Sequence, residues 1–295
     1  MTQRLTEVSA PDGRTLGVAQ WGDPDGAVVF ALHGIPGSRL VRPRDEEGIE
    51  RAGLRLVTYD RPGYGASDRQ PGRRVVDCAQ DVAAIADALG LDRFAVSGFC
   101  GGGPHALAVA ACLGGRVTAA ESQGGTAPFG AEGLDWWAGM SPEGVAEFGW
   151  ALDGERALHE NLMRLAEDKL AGMALERAEM HAARDSQAGA ELARPEAVRE
   201  FVDVMRDGFT AGIWGRVDDN LAVVGEWGFS LDQIAVPVTI RYGAQDTELA
   251  PGHGIWLGAH IPDATVIVDP DGGHFIDPAT RIEELRALVA AGGSG

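Results

Sequence analysis

The stretch Ser97-Gly98-Phe99-Cys100-Gly101-Gly102-Gly103-Pro104-His105 constrains this chain more than any other. It follows an apolar, strand-like run, Arg93-Phe94-Ala95-Val96, and precedes a helix-like run from Ala106 to Cys112. Glycines at 98, 101 and 102 let the backbone reverse sharply. The residue between them is then held in strained backbone, with its side chain lifted clear of a sheet edge. This spacing, between strand and helix, is that of a nucleophile elbow. Its central position holds Cys100, where serine is the usual occupant. A thiol at the start of a helix meets the positive end of the helix dipole, and a neighbouring histidine favours thiolate further.

A nucleophile needs a base, a group to orient that base, and donors for an oxyanion. The chain supplies candidates in the order nucleophile, acid, histidine. Tyr242-Gly243-Ala244-Gln245-Asp246 ends the strand-like run Val236 to Tyr242 and puts Asp246 on the following loop. Asp271-Gly272-Gly273-His274-Phe275 follows the run Thr265 to Val268 and puts His274 on an adjacent loop. His33-Gly34-Ile35-Pro36-Gly37-Ser38 follows the run Ala27 to Leu32, which makes the Ile35 and Gly101 amides candidate oxyanion donors. The other histidines read differently: His33 as part of the loop motif just named, His105 as packed, His253 and His260 as flanking a helix, His159 and His181 as solvated. Glu121, at the end of the strand after the elbow helix, is the competing acid and otherwise a polar group of the pocket. Asp218 and Asp219 read as a solvated or capping pair, and Cys78 and Cys112 as inert core thiols.

Across the first 125 residues, strand runs alternate with helical stretches, the rhythm of a mostly parallel sheet. Leu16 to Trp21, Leu54 to Tyr59 and Val117 to Ala120 are further strand candidates, and Val75 to Leu89 has helical spacing ended by Gly90. From about residue 126 to 228 the strand signal gives way to helical periodicity. The division is therefore a core of 1–125 and 229–291 with a helical cap over 126–228. Tryptophans 136, 137, 150, 214 and 227 read as cap core, with Trp137 and Trp214, together with Phe99, as candidates to line an apolar pocket. The tail, residues 292–295, reads as a linker or tag remnant.

A length of 295 residues fits one large domain with an insertion. The net charge of −19 repels polyanions, which argues against nucleic acid and against anionic membrane surfaces as partners. No run of about 18 apolar residues occurs and the N-terminus has no apolar leader, so a cytoplasmic protein is expected. The cysteines, 78, 100 and 112, are odd in number and lack zinc-type spacing.

In register and order, HGxPGS, DRPGYGxSD, GFxGGGPHALA, GxxD and GGHF resemble the motifs of a capped α/β-hydrolase over nearly the whole length. That resemblance implies an α/β fold with a mostly parallel eight-stranded sheet flanked by helices. It also implies an α-helical lid inserted between strands six and seven, with no metal and no organic cofactor. The expected activity is hydrolysis of an apolar or aromatic ester, thioester or lactone, a small-molecule partner, through Cys100, His274 and Asp246 and a covalent acyl intermediate. Two alternatives stay open, since the fold hosts many functions. One is an acyltransferase or cyclase with the same residues, the other a receptor-like binding protein with little turnover. The cysteine itself has two readings: a native nucleophile, or an engineered replacement of serine. In both, thiolate is the better leaving group, so unactivated esters suffer more than thioesters and activated lactones.

Overall fold

The structure, a computed structural model, describes residues 4–165, 195–275 and 278–293. His181 and part of the expected cap lie outside the described residues. The strands are β1 (Arg4–Ser9), β2 (Thr15–Gly22), β3 (Ala27–Leu32), β4 (Leu54–Tyr59), β5 (Phe94–Phe99), β6 (Val117–Gln123), β7 (Val238–Gly243) and β8 (Ala264–Asp269). They form one eight-stranded sheet in the order β1-β2-β4-β3-β5-β6-β7-β8. Only β2 runs against its neighbours; from β4 to β8 every pairing is parallel.

The central strands are near-continuous apolar runs, such as Ala27–Leu32, because helices cover both faces of a parallel sheet. One face packs Phe30, Val57, Val96 and Ala120 against the helices Cys78–Ala88 and Gly102–Cys112. The other packs Val29, Leu56, Ala95 and Ala119 against Pro43–Arg51 and Pro278–Gly292, through Ile49, Leu285 and Leu288. β1 had no sequence signal, since Leu5 and Glu7 face solvent and only Val8 is buried. Its pairing with β2, from Arg4 opposite Gln20 to Ser9 opposite Thr15, is what makes it a strand.

Between β6 and β7 the described residues hold helices, including Pro142–Leu152, Pro195–Gly208 and Trp214–Val224, and no strand. Ser141 caps the first of these by accepting from the Gly144 amide at 3.1 Å. The helix Trp214–Val224 is nailed to the sheet by charge. Asp219 is fully buried against Arg61 and Arg73, and Asp218, 2% exposed, takes Arg69 at 2.8 Å. The expectation of a solvated pair therefore fails, because the arginines that bury these carboxylates come from about 150 positions away and no local pattern reveals them. Cys112 departs too: it is exposed near the end of its helix, whereas Cys78 is buried with its sulfur 3.0 Å from the Tyr59 hydroxyl.

Among the described residues, no helix is long and apolar enough to cross a membrane.

Candidate active site

Parallel strands put their carboxyl ends on one side of the sheet, and the loops leaving β3, β5, β6, β7 and β8 converge there. Cys100 follows β5 with φ +54°, one of two non-glycine residues at positive φ among those described. An L-residue avoids that region unless its surroundings impose it. A Cβ at Gly98 would lie 2.0 Å from the Gly102 carbonyl oxygen, and one at Gly102 would lie 2.3 Å from that of Leu32. Only hydrogen fits at both places, so the elbow can close no other way. The Cys100 amide donates to the Gln123 carbonyl at 2.8 Å, fixing the turn to the end of β6.

His274, on the loop after β8, donates from Nδ1 to Asp246 Oδ2 at 2.8 Å. The other carboxylate oxygen of Asp246 accepts the amides of Glu248 and Leu249, at 2.8 and 3.0 Å. With Nδ1 occupied, Nε2 is the nitrogen left to serve Cys100, and the Ile35 loop lies against the elbow, where a Cβ on Gly34 would stand 3.2 Å from Cys100 Cβ. Burial opposes charge on both members of this pair. Even so, the imidazolium and the two amides bring the Cys100 thiol below its ordinary range, and the thiolate and Asp246 raise His274. The rings of Phe99 and Phe275 stand 5.0 and 5.3 Å from the imidazole and keep bulk water off it.

Glu121 is placed elsewhere. It is fully buried, accepting from Arg241 at 2.7 Å, from Arg281 at 2.5 Å and from Ser97 at 2.9 Å. Burial raises its carboxyl, but the two guanidiniums outweigh that and hold it below the carboxylate range. Its oxygens face these partners, not His274, and it does not line the cavity.

That cavity, of about 380 Å³, opens over Cys100 and His274. Phe99, Phe148, Phe201, Val204, Leu249 and Phe275 are among its apolar wall. Of the residues expected there, Phe99 is in the wall, while Trp137 and Trp214 are not. Trp137 packs edge-on to Phe129 and Trp136, and Trp214 is sandwiched between His159 at 4.2 Å and the Arg69 guanidinium at 3.7 Å. Phe148 and Phe201, single rings on separate helices that gave no signal in the sequence, and Phe275 line the site with Phe99. A polar group also reaches the wall: Arg216 donates twice to Glu147, at 2.7 and 2.5 Å, and Asn220 joins at 2.8 Å.

His253 was also missed. Buried and held neutral, with its pKa lowered by burial to about 4, it accepts the Ala127 amide at 3.2 Å and bonds the Trp136 carbonyl at 3.1 Å. It thereby fixes the segment that leaves β6 beside the elbow.

A model of the alpha/beta hydrolase fold matches residues 27–276. The chain belongs to the alpha/beta hydrolase fold family. Solved structures agree on the fold of this hydrolase. An esterase from Exiguobacterium antarcticum superposes with TM-score 0.72 at 20% identity, covering 98% of this chain and 99% of that one. An esterase from a Rhodococcus species gives 0.67 at 20% identity, with 97% and 98% covered. An enol-lactonase from Burkholderia xenovorans gives 0.64 at 18% identity, with 97% of each covered. No curated protein matches the hydrolase by sequence.

Proposed function

We propose that the hydrolase cleaves a small apolar or aromatic ester, thioester or activated lactone through an acyl-thioester on Cys100. The observation that carries this reading is that Cys100, raised on its elbow at positive φ, shares one cavity with Ile35, Gly101 and the Asp246-held imidazole of His274. The cavity volume lies within the range of small-molecule sites, roughly 300–1,000 Å³. Its phenylalanine wall suits an apolar acyl or aryl group.

In this reading the Cys100 thiolate attacks the carbonyl carbon, and the oxyanion takes up the Ile35 and Gly101 N–H groups. Donors held in place by the fold before the reaction need little reorganisation as that charge develops. The tetrahedral intermediate collapses as protonated His274 Nε2 gives its proton to the departing alcohol or thiol. Neutral Nε2 then takes a proton from water, the hydroxide adds to the thioester carbonyl, and the thiolate leaves. Asp246 keeps the ring's Nδ1–H fixed throughout, which leaves Nε2 free for both transfers. The enol-lactonase and esterase neighbours are compatible with such substrates.

Intact-mass measurement on the protein mixed with aryl esters and their matching thioesters tests this. An acyl increment on Cys100 is expected, absent in Cys100→Ala, together with free acid in solution. A product joined to an added amine or alcohol would make the enzyme a transferase. No adduct and no turnover across the panel would refute the reading.

A further inference from the structure

Arg61 follows β4 and has no exposed surface. Its guanidinium bonds Asp219 through Nε, at 3.1 and 3.2 Å, and through Nη2 at 2.7 Å. The remaining donors go to consecutive carbonyls of the loop after β3: Nη1 to His33 and Nη2 to Gly34, the latter at 2.9 Å. The Arg61 amide donates to His33 Nε2 at 3.1 Å. An amide can only donate, so Nε2 is the acceptor and the ring proton sits on Nδ1. That proton goes to the Gly34 carbonyl at 2.8 Å. Burial, and then the charge of Arg61, keep the imidazole neutral in this arrangement.

The Gly34 oxygen thus accepts two hydrogen bonds, one of them from a cation. That oxygen belongs to the same peptide group as the Ile35 N–H, and this peptide lies against the elbow: a Cβ on Gly34 would stand 3.2 Å from Cys100 Cβ, and the Ile35 amide favours the charged sulfur. Hydrogen bonds to a peptide oxygen polarise the group and strengthen its N–H as a donor. They also fix the plane of the peptide, and so the direction of that N–H. Asp219, in turn, stands on the helix Trp214–Val224, in the insertion, and is gripped at the same time by Arg73 at 2.5 Å. The insertion reaches this loop by backbone as well: the Gly215 amide donates to the Gly63 carbonyl at 3.1 Å, and a Cβ on Gly63 would lie 2.8 Å from the Gly215 nitrogen.

We propose that Arg61, held in place by Asp219, is a positioning residue that sets the strength and direction of the Ile35 oxyanion donor, so that seating of the inserted helix tunes the reactivity of Cys100. This rests on Cys100 being the nucleophile. A staple alone would be served as well by apolar side chains, since buried ion pairs are a poor source of net stability. What a staple does not need is the direction of two arginine donors onto the carbonyls of residues 33 and 34, beside the oxyanion amide.

The test is Arg61→Lys, with Asp219→Asn as a second variant and Arg73→Lys for comparison. Lysine keeps the charge on a single nitrogen and cannot serve Asp219 and both carbonyls together. Readouts are the pH profile of Cys100 alkylation by iodoacetamide, single-turnover acylation by an aryl ester, and thermal melting. In Arg61→Lys the alkylation midpoint should move to higher pH, slowing the reaction at neutral pH about three- to tenfold. Acylation should slow about ten- to a hundredfold at saturating ester with little change in half-saturation, less than the loss of a whole oxyanion donor. Asp219→Asn keeps an acceptor for the guanidinium and should move both readouts the same way by less. Arg73→Lys should lower the melting temperature and leave the midpoint in place. If Arg61→Lys does not fold, Asp219→Asn decides on the same readouts. A folded variant with unchanged midpoint and acylation overturns the proposal. A shifted midpoint in a protein whose wild type forms no acyl adduct supports the positioning role and removes the ester chemistry instead.

Discussion

Asp246→Asn tests the geometry around His274 most severely, because the structure dictates how asparagine must sit. One carboxylate oxygen of Asp246 accepts two backbone amides, Glu248 and Leu249, and the other accepts His274 Nδ1–H at 2.8 Å. Asparagine has one oxygen and one NH2. With its oxygen toward the two amides, which can only donate, its NH2 faces His274. Nδ1 must then become an acceptor, and the ring proton moves to Nε2, the nitrogen that has to take protons from Cys100 and from water. The opposite flip would leave two amide donors against an NH2 in a buried site, about 1–3 kcal/mol for each unpaired group. The favoured orientation therefore costs the base, and in both the imidazolium loses its anionic partner.

The same substitution in a serine triad of unrelated fold costs about 10⁴ in turnover by tautomer reversal alone. A thiolate formed in the ground state needs the base less for attack than an alcohol does, so about 10³ is the expectation here, equivalent to about 4 kcal/mol of barrier. Deacylation should suffer most, since it requires Nε2 to accept a proton from water. Single-turnover kinetics with an aryl ester should therefore show acyl-enzyme accumulating by intact mass while product release stalls. Circular dichroism should remain that of the wild type. A folded Asp246→Asn protein within threefold of wild-type turnover would refute the role of Asp246 and the tautomer argument with it.

Iodoacetamide at neutral pH followed by peptide mapping should label Cys100 first, then Cys112, with Cys78 protected. Burial pushes the Cys78 thiol up to about 12, and burial also raises Cys112, whereas His274 and two amides lower Cys100. Labelling of Cys112 ahead of Cys100 would remove the thiolate from the mechanism. Glu121→Gln should destabilise the fold by about 1–3 kcal/mol in chemical denaturation, because it removes the buried charge between Arg241 and Arg281 and leaves Glu284 as the carboxylate near both. Turnover of the folded fraction should stay within threefold. Lost turnover at unchanged stability would instead pass the orienting role to Glu121.

The elbow was legible because its chemistry is local: strand, glycine frame and helix occupy about twenty successive residues, and each requirement is visible in the residue types themselves. Asp246 and His274 were legible for a related reason. Each follows its strand within a few residues, and a parallel sheet delivers all such loops to one edge. The buried charges were not legible. Asp218, Asp219 and Glu121 have the composition of solvated or pocket residues, and only arginines from distant segments make their burial tolerable. An isolated buried carboxylate is so costly that its partners must be present, but spacing does not say which of the chain's arginines they are. The pocket wall failed for another reason. The tryptophans marked the stretch after β6 as an apolar body, yet large rings are consumed by packing, as Trp136 is at 3% exposure. The cavity wall includes Phe148 and Phe201 instead: the helix of Phe148 is tied through Arg216–Glu147 to Trp214–Val224, which Arg61–Asp219 holds, and the helix of Phe201 is tied through Asp207 to Arg39, long-range contacts that their own periodicity does not show. The same long-range ion pair that hid from sequence reading therefore bears on both the shape of the cavity and the amide that faces its nucleophile.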